Sequence, residues 1–346
     1  DKLREIWKAA GQEQVFAHVD ELNADELASF QQQLERIDPA LINKQFAAAQ
    51  EAATRKADQP KPFSNIHPTH NRKQNWEAGL TGVAEGKAAA LLLAGGQGTR
   101  LGFDHPKGMY DIGLPSGRTL FHLHAQRIQR VRILASRKAN KHLDEIYLPF
   151  LVMTSMATFQ ETKDFFEKNN YFGLPRSDVI LFQQGTNPCI SKDGKILLAN
   201  KGEICVSPDG NGSVYASLKR SGVLETLSSK GVIVINTFAV DNVAVLPIDP
   251  VAVGAQLTAN SELLVKSVER KSPEERVGVF AELSNGGLGV LEYSELPLKD
   301  AQHVNEDGTL YYHAAHICIN SFTVDFVKRV VDGACKTMPM HLANRN

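Results

Sequence analysis

The sequence has few of the features that mark disulfide scaffolds, membrane spans or nucleic-acid-binding surfaces. Its 346 residues include only four cysteines, which are far apart and form no Cys-x-x-Cys pair, so neither a disulfide framework nor a cysteine-ligated metal cluster is expected. No run of about 18 apolar residues is present to form a transmembrane helix, and the first residues lack the apolar core of a secretory signal. The net charge of −1 provides no basic excess for nucleic acid or a membrane surface. We therefore expect a cytoplasmic protein that binds neither.

Strands alternate with helices from Lys87 onward, which predicts an α/β protein. The predicted strands cover 88–94, 146–154, 179–183, 232–240, 263–269, 277–283 and 289–293, with a hairpin at 190–199 turned at Asp193-Gly194. The predicted helices cover 119–136, 157–168, 213–220, 224–230 and 250–259. This order is typical of a Rossmann-like, mostly parallel sheet with helices on both faces.

The N-terminal residues 2–57 have a different pattern, which predicts helices. Asn23 precedes two acidic residues as an N-cap does, and Pro39 suits the first turn of a further helix. Residues 58–75 are rich in proline and polar residues, which is typical of a connecting loop. We therefore expect a helical N-terminal arm and linker over 1–75, packed on an α/β domain over 76–346.

A glycine-rich turn directly after the strand 88–94 is the most informative segment of the chain. Glycines at 95, 96, 98 and 102 leave backbone N–H groups unobstructed, which suits phosphate oxygens. Arg100 and Lys107 would neutralise the charge of a polyphosphate. No Lys-Ser/Thr follows the glycines, which excludes a Walker A loop, and the spacing Gly-x-Gly-x-x-x-Gly differs from the dinucleotide fingerprint.

Polar residues follow other predicted strands at the same edge of the sheet. Thr154, Gln184 and Asp241 each come at or after a strand's carboxyl end, where ligands of such sheets bind. Asp241 would suit Mg²⁺, which prefers one or two carboxylates together with phosphate oxygens. The histidine pairs do not predict a metal site, and we expect ordinary surface or packing roles for them. His122 and His124 are two apart on a predicted helix and point to different faces, and His67 and His70 lie in a proline-rich loop with no nearby third ligand.

With these residues in place, the chain resembles the eukaryotic-type UDP-N-acetylhexosamine pyrophosphorylases, which are sugar-1-phosphate uridylyltransferases with a GT-A-like nucleotidyltransferase fold. The resemblance runs in order from about residue 5 to residue 342. Its most specific segments are LLLAGGQGTRLG (91–102), PKGMYD (106–111), LPS (114–116), TLF (119–121), MTS (153–155), YFGL (171–174), FQQG (182–185), PDGNG (208–212), VDN (240–242) and EYSE (292–295).

The resemblance implies the reaction of UTP with N-acetylglucosamine 1-phosphate to give UDP-N-acetylglucosamine and pyrophosphate, with Mg²⁺ or alternatively Mn²⁺. Catalytic roles fall on Arg100 and Lys107, which would hold the triphosphate, and Asp241 would bind the metal. The implied substrate-binding residues are Leu93, Ala94, Gly95, Gly96, Gln184 and Gly210 for the uridine and Asn211, Glu292, Tyr293 and His316 for the sugar.

Two departures from the family pattern leave alternatives open. The family's Asn-Ala-Gly-Asn-Ile is replaced by HAAHI at 313–317, and His316 offers a bulkier group with a different donor geometry than asparagine. Another sugar 1-phosphate is therefore an alternative substrate. The chain also stops at Asn346, where relatives continue into a C-terminal domain with phosphate-contacting lysines. We expect from this an apparent truncation, with a catalytically weak UDP-sugar-binding protein as a further alternative.

Overall fold

A computed structural model describes residues 2–54, 60–63, 71–283, 286–293 and 295–333. The helices are α1 (Lys2–Ala9), α2 (Ala24–Glu35), α3 (Pro39–Thr54), α4 (Arg72–Ala84), α5 (Leu120–Ala139), α6 (Met156–Lys168), α7 (Val214–Arg220), α8 (Val223–Ser229), α9 (Pro250–Ala259), α10 (Leu298–Ala301) and α11 (Val324–Asp332). The strands are β1 (Lys61–Pro62), β2 (Ala88–Leu93), β3 (Phe150–Thr154), β4 (Val179–Gln183), β5 (Thr186–Pro188), β6 (Leu198–Asn200), β7 (Glu203–Ile204), β8 (Val206–Pro208), β9 (Val234–Ala239), β10 (Leu263–Glu269), β11 (Val279–Glu282), β12 (Leu288–Leu291) and β13 (Ala314–Thr323).

The described residues form two compact units. The N-terminal unit contains residues 2–54, 185–213 and 333, so the segment 185–213, predicted within the α/β domain, groups with the N-terminal helices. The sheet unit contains residues 60–63, 71–184 and 214–332. The N-terminal unit includes two small antiparallel pairs, β5 with β8 and β6 with β7.

The sheet unit is built on a mixed sheet in the order β1-β11-β13-β9-β2-β3-β4, with β10 beside β13 and β12 beside β11. Strands β9, β2, β3 and β4 are mutually parallel. Strands β1 and β10 to β13 extend this parallel part with antiparallel pairs. The Rossmann-like sheet predicted from the sequence is therefore confirmed, and its parallel part carries the glycine loop.

Strand β2 shows why helices cover both faces of the parallel part. Its side chains alternate between faces, and all but the last are buried. Ala90 and Leu92 belong to a core with residues of α4, α5 and α9, whereas Ala89 and Leu91 belong to a second core with residues of α7, α8 and α11. Because both faces are covered, the strand has a continuous apolar sequence instead of an alternating one.

The N-terminal unit has its own core around Trp7, Phe30 and Leu34, which pack with Ile196 and Ile204. The predicted N-cap is confirmed, since the Asn23 side chain accepts from the backbone of Asp25 and Glu26 and completes a capping box. The buried Gln12 side chain donates to the Gly194 carbonyl at 2.8 Å and accepts from the Ile196 N–H at 2.9 Å. These contacts fix the predicted 193–194 turn against the segment that follows α1.

One prediction on the linker is wrong. Residues 58–75 were expected to form a loop, but Lys61–Pro62 pair with β11 and α4 begins at Arg72. Helix α4 packs closely against α9. A Cβ on Gly79 would lie 1.8 Å from the carbonyl oxygen of Pro250, and a Cβ on Gly254 would lie 1.8 Å from the carbonyl oxygen of Asn75. Glycine is therefore required at both positions, although it lowers helix propensity. Among the helices of the described chain, none is long and apolar enough to cross a membrane.

Candidate active site

The carboxyl ends of the parallel strands lie in register. Leu93 at the end of β2 pairs with Met153 of β3 on one side and with Ala239 of β9 on the other. Thr154 at the end of β3 pairs with Gln183 of β4. The segments that follow these strands therefore leave the sheet at one edge, as the sequence predicted.

The glycine loop after β2 folds back on itself. The Ala94 N–H donates to the Met153 carbonyl at 2.8 Å, which extends the strand by one residue. Further along, the Gly98 N–H donates to the His105 carbonyl at 2.9 Å, and the Lys107 N–H donates to that of Gly96 at 3.1 Å. These bonds close the loop and bring Lys107 beside the glycines.

The close packing of the next residue, Gly108, fixes the position of Lys107. It begins a 3₁₀ helix (Lys107–Met109), and a Cβ on Gly108 would lie 2.1 Å from the ring of Phe121 on α5. The Lys107 side chain extends past Gly96, where a Cβ would be 3.6 Å from its Cε. Its Nζ lies 3.2 Å from the Asp241 Oδ2, and the Lys107 side chain is only 26% exposed. A partly desolvated cation thus lies directly over the glycine loop.

Gln184 covers the first glycine of the loop. The Gln184 residue is buried, and its N–H donates to the Thr154 carbonyl at 2.8 Å. A Cβ on Gly95 would lie 2.7 Å from the Gln184 Oε1, 3.0 Å from its Cδ and 3.1 Å from its Nε2. These nearly equal distances mean that the amide lies flat against Gly95, so a side chain at this position would displace it.

Asp241 follows β9, and a histidine forms a hydrogen bond to the backbone of the residue before it. The Val240 N–H donates to the Leu93 carbonyl at 3.1 Å, and the Val240 carbonyl accepts from the His124 Nε2 on α5 at 2.9 Å. The pKa of His124 is lowered to about 4, mainly by burial and also by the positive charge of Arg127, although the hydrogen bond to the Val240 carbonyl and the charge of Asp241 act in the opposite direction. His124 is therefore neutral at physiological pH. Its contact was missed from the sequence, where His124 was assigned an ordinary packing role.

Glu292 and His316, the two predicted sugar-binding residues of the antiparallel part, meet at Gly278. The His316 N–H donates to the Gly278 carbonyl at 2.8 Å, and a Cβ on Gly278 would lie 3.5 Å from the Glu292 Oε1. The His316 Nε2 lies 3.3 Å from the Asn320 Oδ1, and its ring packs edge-on against Phe280. The imidazole is therefore fixed in orientation.

Cys318 lies on the same strand as His316, and the charge of Asp241 acts on its thiol. Between the pairs Val265↔Asn320 and Ser267↔His316, one residue of β10 opposes three of β13, which defines a bulge, and Cys318 within it has a φ of 55°. Burial raises the pKa of the Cys318 thiol, and the carboxylates of Glu292 and Asp241 raise it further. Both carboxylates therefore act on the Cys318 thiol.

Other predicted residues have different placements. Arg100 lies in a 3₁₀ helix (Thr99–Leu101), of which only the backbone is described at that position. Tyr293 follows Glu292 and is 52% exposed. Gly210 and Asn211 belong to the N-terminal unit, where Gly210 has a φ of 82° and the Ser213 hydroxyl donates to its carbonyl at 2.7 Å.

Few described side chains could bind a metal ion at this site. Within the residues that the structure describes, no three His, Cys, Asp or Glu side chains converge as a metal site. His67 and His70 lie outside the described residues. The exposed Asp241 carboxylate alone fits an ion such as Mg²⁺ only if phosphate oxygens and water supply its other ligands.

A closed glycine loop and a lysine at the carboxyl edge of parallel strands define an α/β protein of the nucleotide-binding class. The chain belongs to the UTP–glucose-1-phosphate uridylyltransferase family, whose sequence profile matches residues 28–346. It is 38% identical over 354 residues to UDP-N-acetylglucosamine diphosphorylase 2 of Arabidopsis thaliana, covering 99% of this chain and 70% of the relative.

Two further relatives agree with this assignment. A probable UDP-N-acetylglucosamine pyrophosphorylase of Dictyostelium discoideum is 36% identical, covering 99% of this chain and 72% of the relative. The crystal structure of the uridine diphosphate N-acetylglucosamine pyrophosphorylase from Trypanosoma brucei, in complex with an inhibitor, superposes with a TM-score of 0.85 at 29% identity. That match covers 99% of this chain and 70% of the other chain.

Proposed function

We propose that this protein transfers a uridylyl group from UTP to N-acetylglucosamine 1-phosphate, giving UDP-N-acetylglucosamine and pyrophosphate. The relatives named above support this substrate pair. The observation that carries the proposal is the convergence of Gly95, Gln184, Lys107 and Asp241 at one sheet edge. The Gln184 amide, which could bind a base, and the Lys107 cation, which could bind phosphates, thus lie at the same edge.

The sugar phosphate is already an anionic nucleophile, so the reaction needs no general base. One of its oxygens attacks the α-phosphorus of UTP in line, a new P–O bond forms, and the bond to the β-phosphate oxygen breaks to release pyrophosphate. Catalysis then rests on positioning and on charge neutralisation. Lys107, with Arg100, would neutralise the triphosphate and the departing pyrophosphate.

The uridine would bind over the strand end that Leu93 and Ala94 complete. Gly95 and Gly96 have no side chain to obstruct the approach of the nucleotide, and the Gln184 amide offers both a donor and an acceptor to the uracil edge. The Gly210 backbone is a further proposed contact to the base.

Mg²⁺, or alternatively Mn²⁺, is the proposed cofactor, and Asp241 would hold it. The ion would supply charge neutralisation to the phosphate oxygens. We expect Asp241→Ala to abolish the response of the rate to Mg²⁺, whereas an unaltered metal titration in this variant would remove Asp241 from the role. Asp241→Asn, of nearly equal size, separates loss of charge from loss of packing.

Glu292, Tyr293, Asn211 and His316 are the proposed contacts to the sugar. The fixed imidazole of His316 supports a second candidate function, uridylyl transfer to a different sugar 1-phosphate. The ring's orientation is set by Asn320 and Phe280, so its donor cannot turn freely to suit every acetamido or hydroxyl group.

The test is pyrophosphate release from UTP, Mg²⁺ and a panel of sugar 1-phosphates, with Lys107→Ala as the control. Release favouring N-acetylglucosamine 1-phosphate and lost in the control would support the first proposal, and preference for another sugar would support the second. UTP binding without release for any sugar would indicate a nucleotide-sugar-binding protein. The cytoplasm is the proposed location.

A further inference from the structure

Two cysteines that are separated in the sequence face each other in the N-terminal unit. Strands β5 and β8 pair Thr186 with Pro208 and Pro188 with Val206. Continuing that register by one position places Cys189 opposite Cys205, and the Cys189 N–H donates to the Cys205 carbonyl at 2.7 Å.

The backbone around this pair is held by a third segment. The Leu197 N–H donates to the Cys189 carbonyl at 2.9 Å, and the Leu197 carbonyl accepts from the Cys205 N–H at 2.9 Å. Both cysteines are free thiols and partly exposed. The pair is therefore ordered and accessible to a small reagent.

We propose that Cys189 and Cys205 form a thiol–disulfide exchange site, which takes a low-molecular-weight disulfide such as glutathione disulfide as its co-reactant. Directly opposed residues of an antiparallel pair have Cα atoms about 5.5 Å apart in the hydrogen-bonded type, within the range that a disulfide spans. Their Cβ atoms lie about 4.5–5.5 Å apart, whereas a disulfide prefers about 3.8 Å. The bond thus requires a small contraction, which favours a labile disulfide over a permanent one.

The exchange takes place in two steps. The thiolate of one cysteine of the pair attacks glutathione disulfide, forming a mixed disulfide and releasing one glutathione. The sulfur of the other cysteine next attacks the sulfur of the first and releases the second glutathione, so two protein thiols are oxidised while the reagent is reduced to two thiols carrying the two protons.

The experiment exposes the whole chain to glutathione disulfide and then to N-ethylmaleimide, and maps the peptides by mass spectrometry. We expect a linked Cys189–Cys205 peptide, which excess reduced glutathione returns to two alkylated thiols. Cys205→Ser and Cys189→Ser should each accumulate one glutathione on the remaining cysteine of the pair, because the second step is blocked. Cys318→Ser is the matched control and should form the link as the parent chain does.

Equal alkylation of Cys189 and Cys205 in treated and untreated protein, with no linked peptide, would overturn the proposal. So would a link that joins either residue to Cys318 or Cys335 instead. Uridylyltransferase activity is not needed for any of these readouts.

Discussion

The Nζ of Lys107 lies 3.2 Å from the Oδ2 of Asp241, joining the glycine loop after β2 to the residue that follows β9. The contact brings a proposed phosphate-binding cation to a proposed metal-binding carboxylate. Each group neutralises the other, and a bound metal–triphosphate would offer each a partner of opposite charge. The pair therefore holds both side chains at the position where the nucleotide phosphates are expected.

Lys107→Ala should lower turnover by roughly 10²–10³, the scale for losing one preorganised charge-stabilising group. The reason is that the lysine is aimed at the phosphates by the packing of Gly108 on Phe121. Steady-state pyrophosphate release measures the effect. The exposed Lys219, which pairs with Asp332 on the surface, provides the control variant Lys219→Ala. Equal rates in Lys107→Ala and the control would contradict the proposed phosphate site.

Gly95→Ala should weaken UTP binding by about tenfold, which corresponds to about 1.4 kcal/mol. The added methyl would lie 2.7 Å from the Gln184 Oε1 and displace the amide. Gly96→Ala is the matched comparison, since its methyl would make only an ordinary 3.6 Å contact with Lys107. Calorimetry with UTP should show the larger loss for Gly95→Ala, and the reverse order would argue against Gln184 as the base-reading group.

Acid should destabilise the protein through His124. Its pKa is about 4 in the folded chain and 6.5 as its reference value, so the unfolded chain binds the proton first as the pH falls. The contribution of His124 to the free energy of unfolding is therefore full above about pH 6.5 and is lost as the pH falls toward 4. The loss is about 3 kcal/mol, since one pKa unit corresponds to about 1.36 kcal/mol.

The variant His124→Gln isolates that contribution. A glutamine keeps a donor for the Val240 carbonyl but has no proton to gain, so its urea midpoint should fall less than that of the parent between about pH 7 and pH 4. Parallel declines in the two proteins would show that His124 does not titrate in this window. His124→Leu, which leaves the Val240 carbonyl without its donor, should cost about 1–3 kcal/mol near pH 7.

His316→Asn should shift sugar selectivity toward N-acetylglucosamine 1-phosphate. The shorter carboxamide replaces an imidazole fixed by Asn320 and Phe280. The ratio of kcat/KM between two sugar phosphates is the measurement, and a change of about 10-fold corresponds to about 1.4 kcal/mol. An unchanged ratio would show that His316 does not determine which sugar phosphate is preferred.

Much of the parallel part could be predicted because its strands are buried on both faces and bounded by clear turn residues. The predictions for β4 and α9 match the observed limits, and β2 differs by one residue. Helix α4 was missed for a physical reason: Gly79 and Gly82 weaken a helical pattern, yet the close contact with α9 requires small residues. Strand β13 was missed because its bulge around Cys318 disrupts a regular pattern.

The site shows a similar division. Lys107 and Gln184 were predicted from motifs that follow strand ends, and the register of β2, β3 and β4 places them beside the glycines. The Val240 contact of His124 could not be predicted, because it depends on how α5 crosses beneath β9. The meeting of Glu292 with His316 at Gly278 depends likewise on strand pairing between distant segments.

The N-terminal core has a consequence for biosynthesis. Gln12 and Gly194 are 182 positions apart, and Ile204, which packs with Trp7 and Phe30, follows later still. A ribosome adding about 5–20 residues per second needs roughly 10–40 s to make the intervening chain. During that time α1 to α3 emerge without the segment that buries their apolar faces. These helices therefore reach their native packing only after residues 185–204 are made, and Trp7 and Phe30 lack their packing partners Ile196 and Ile204 in that interval.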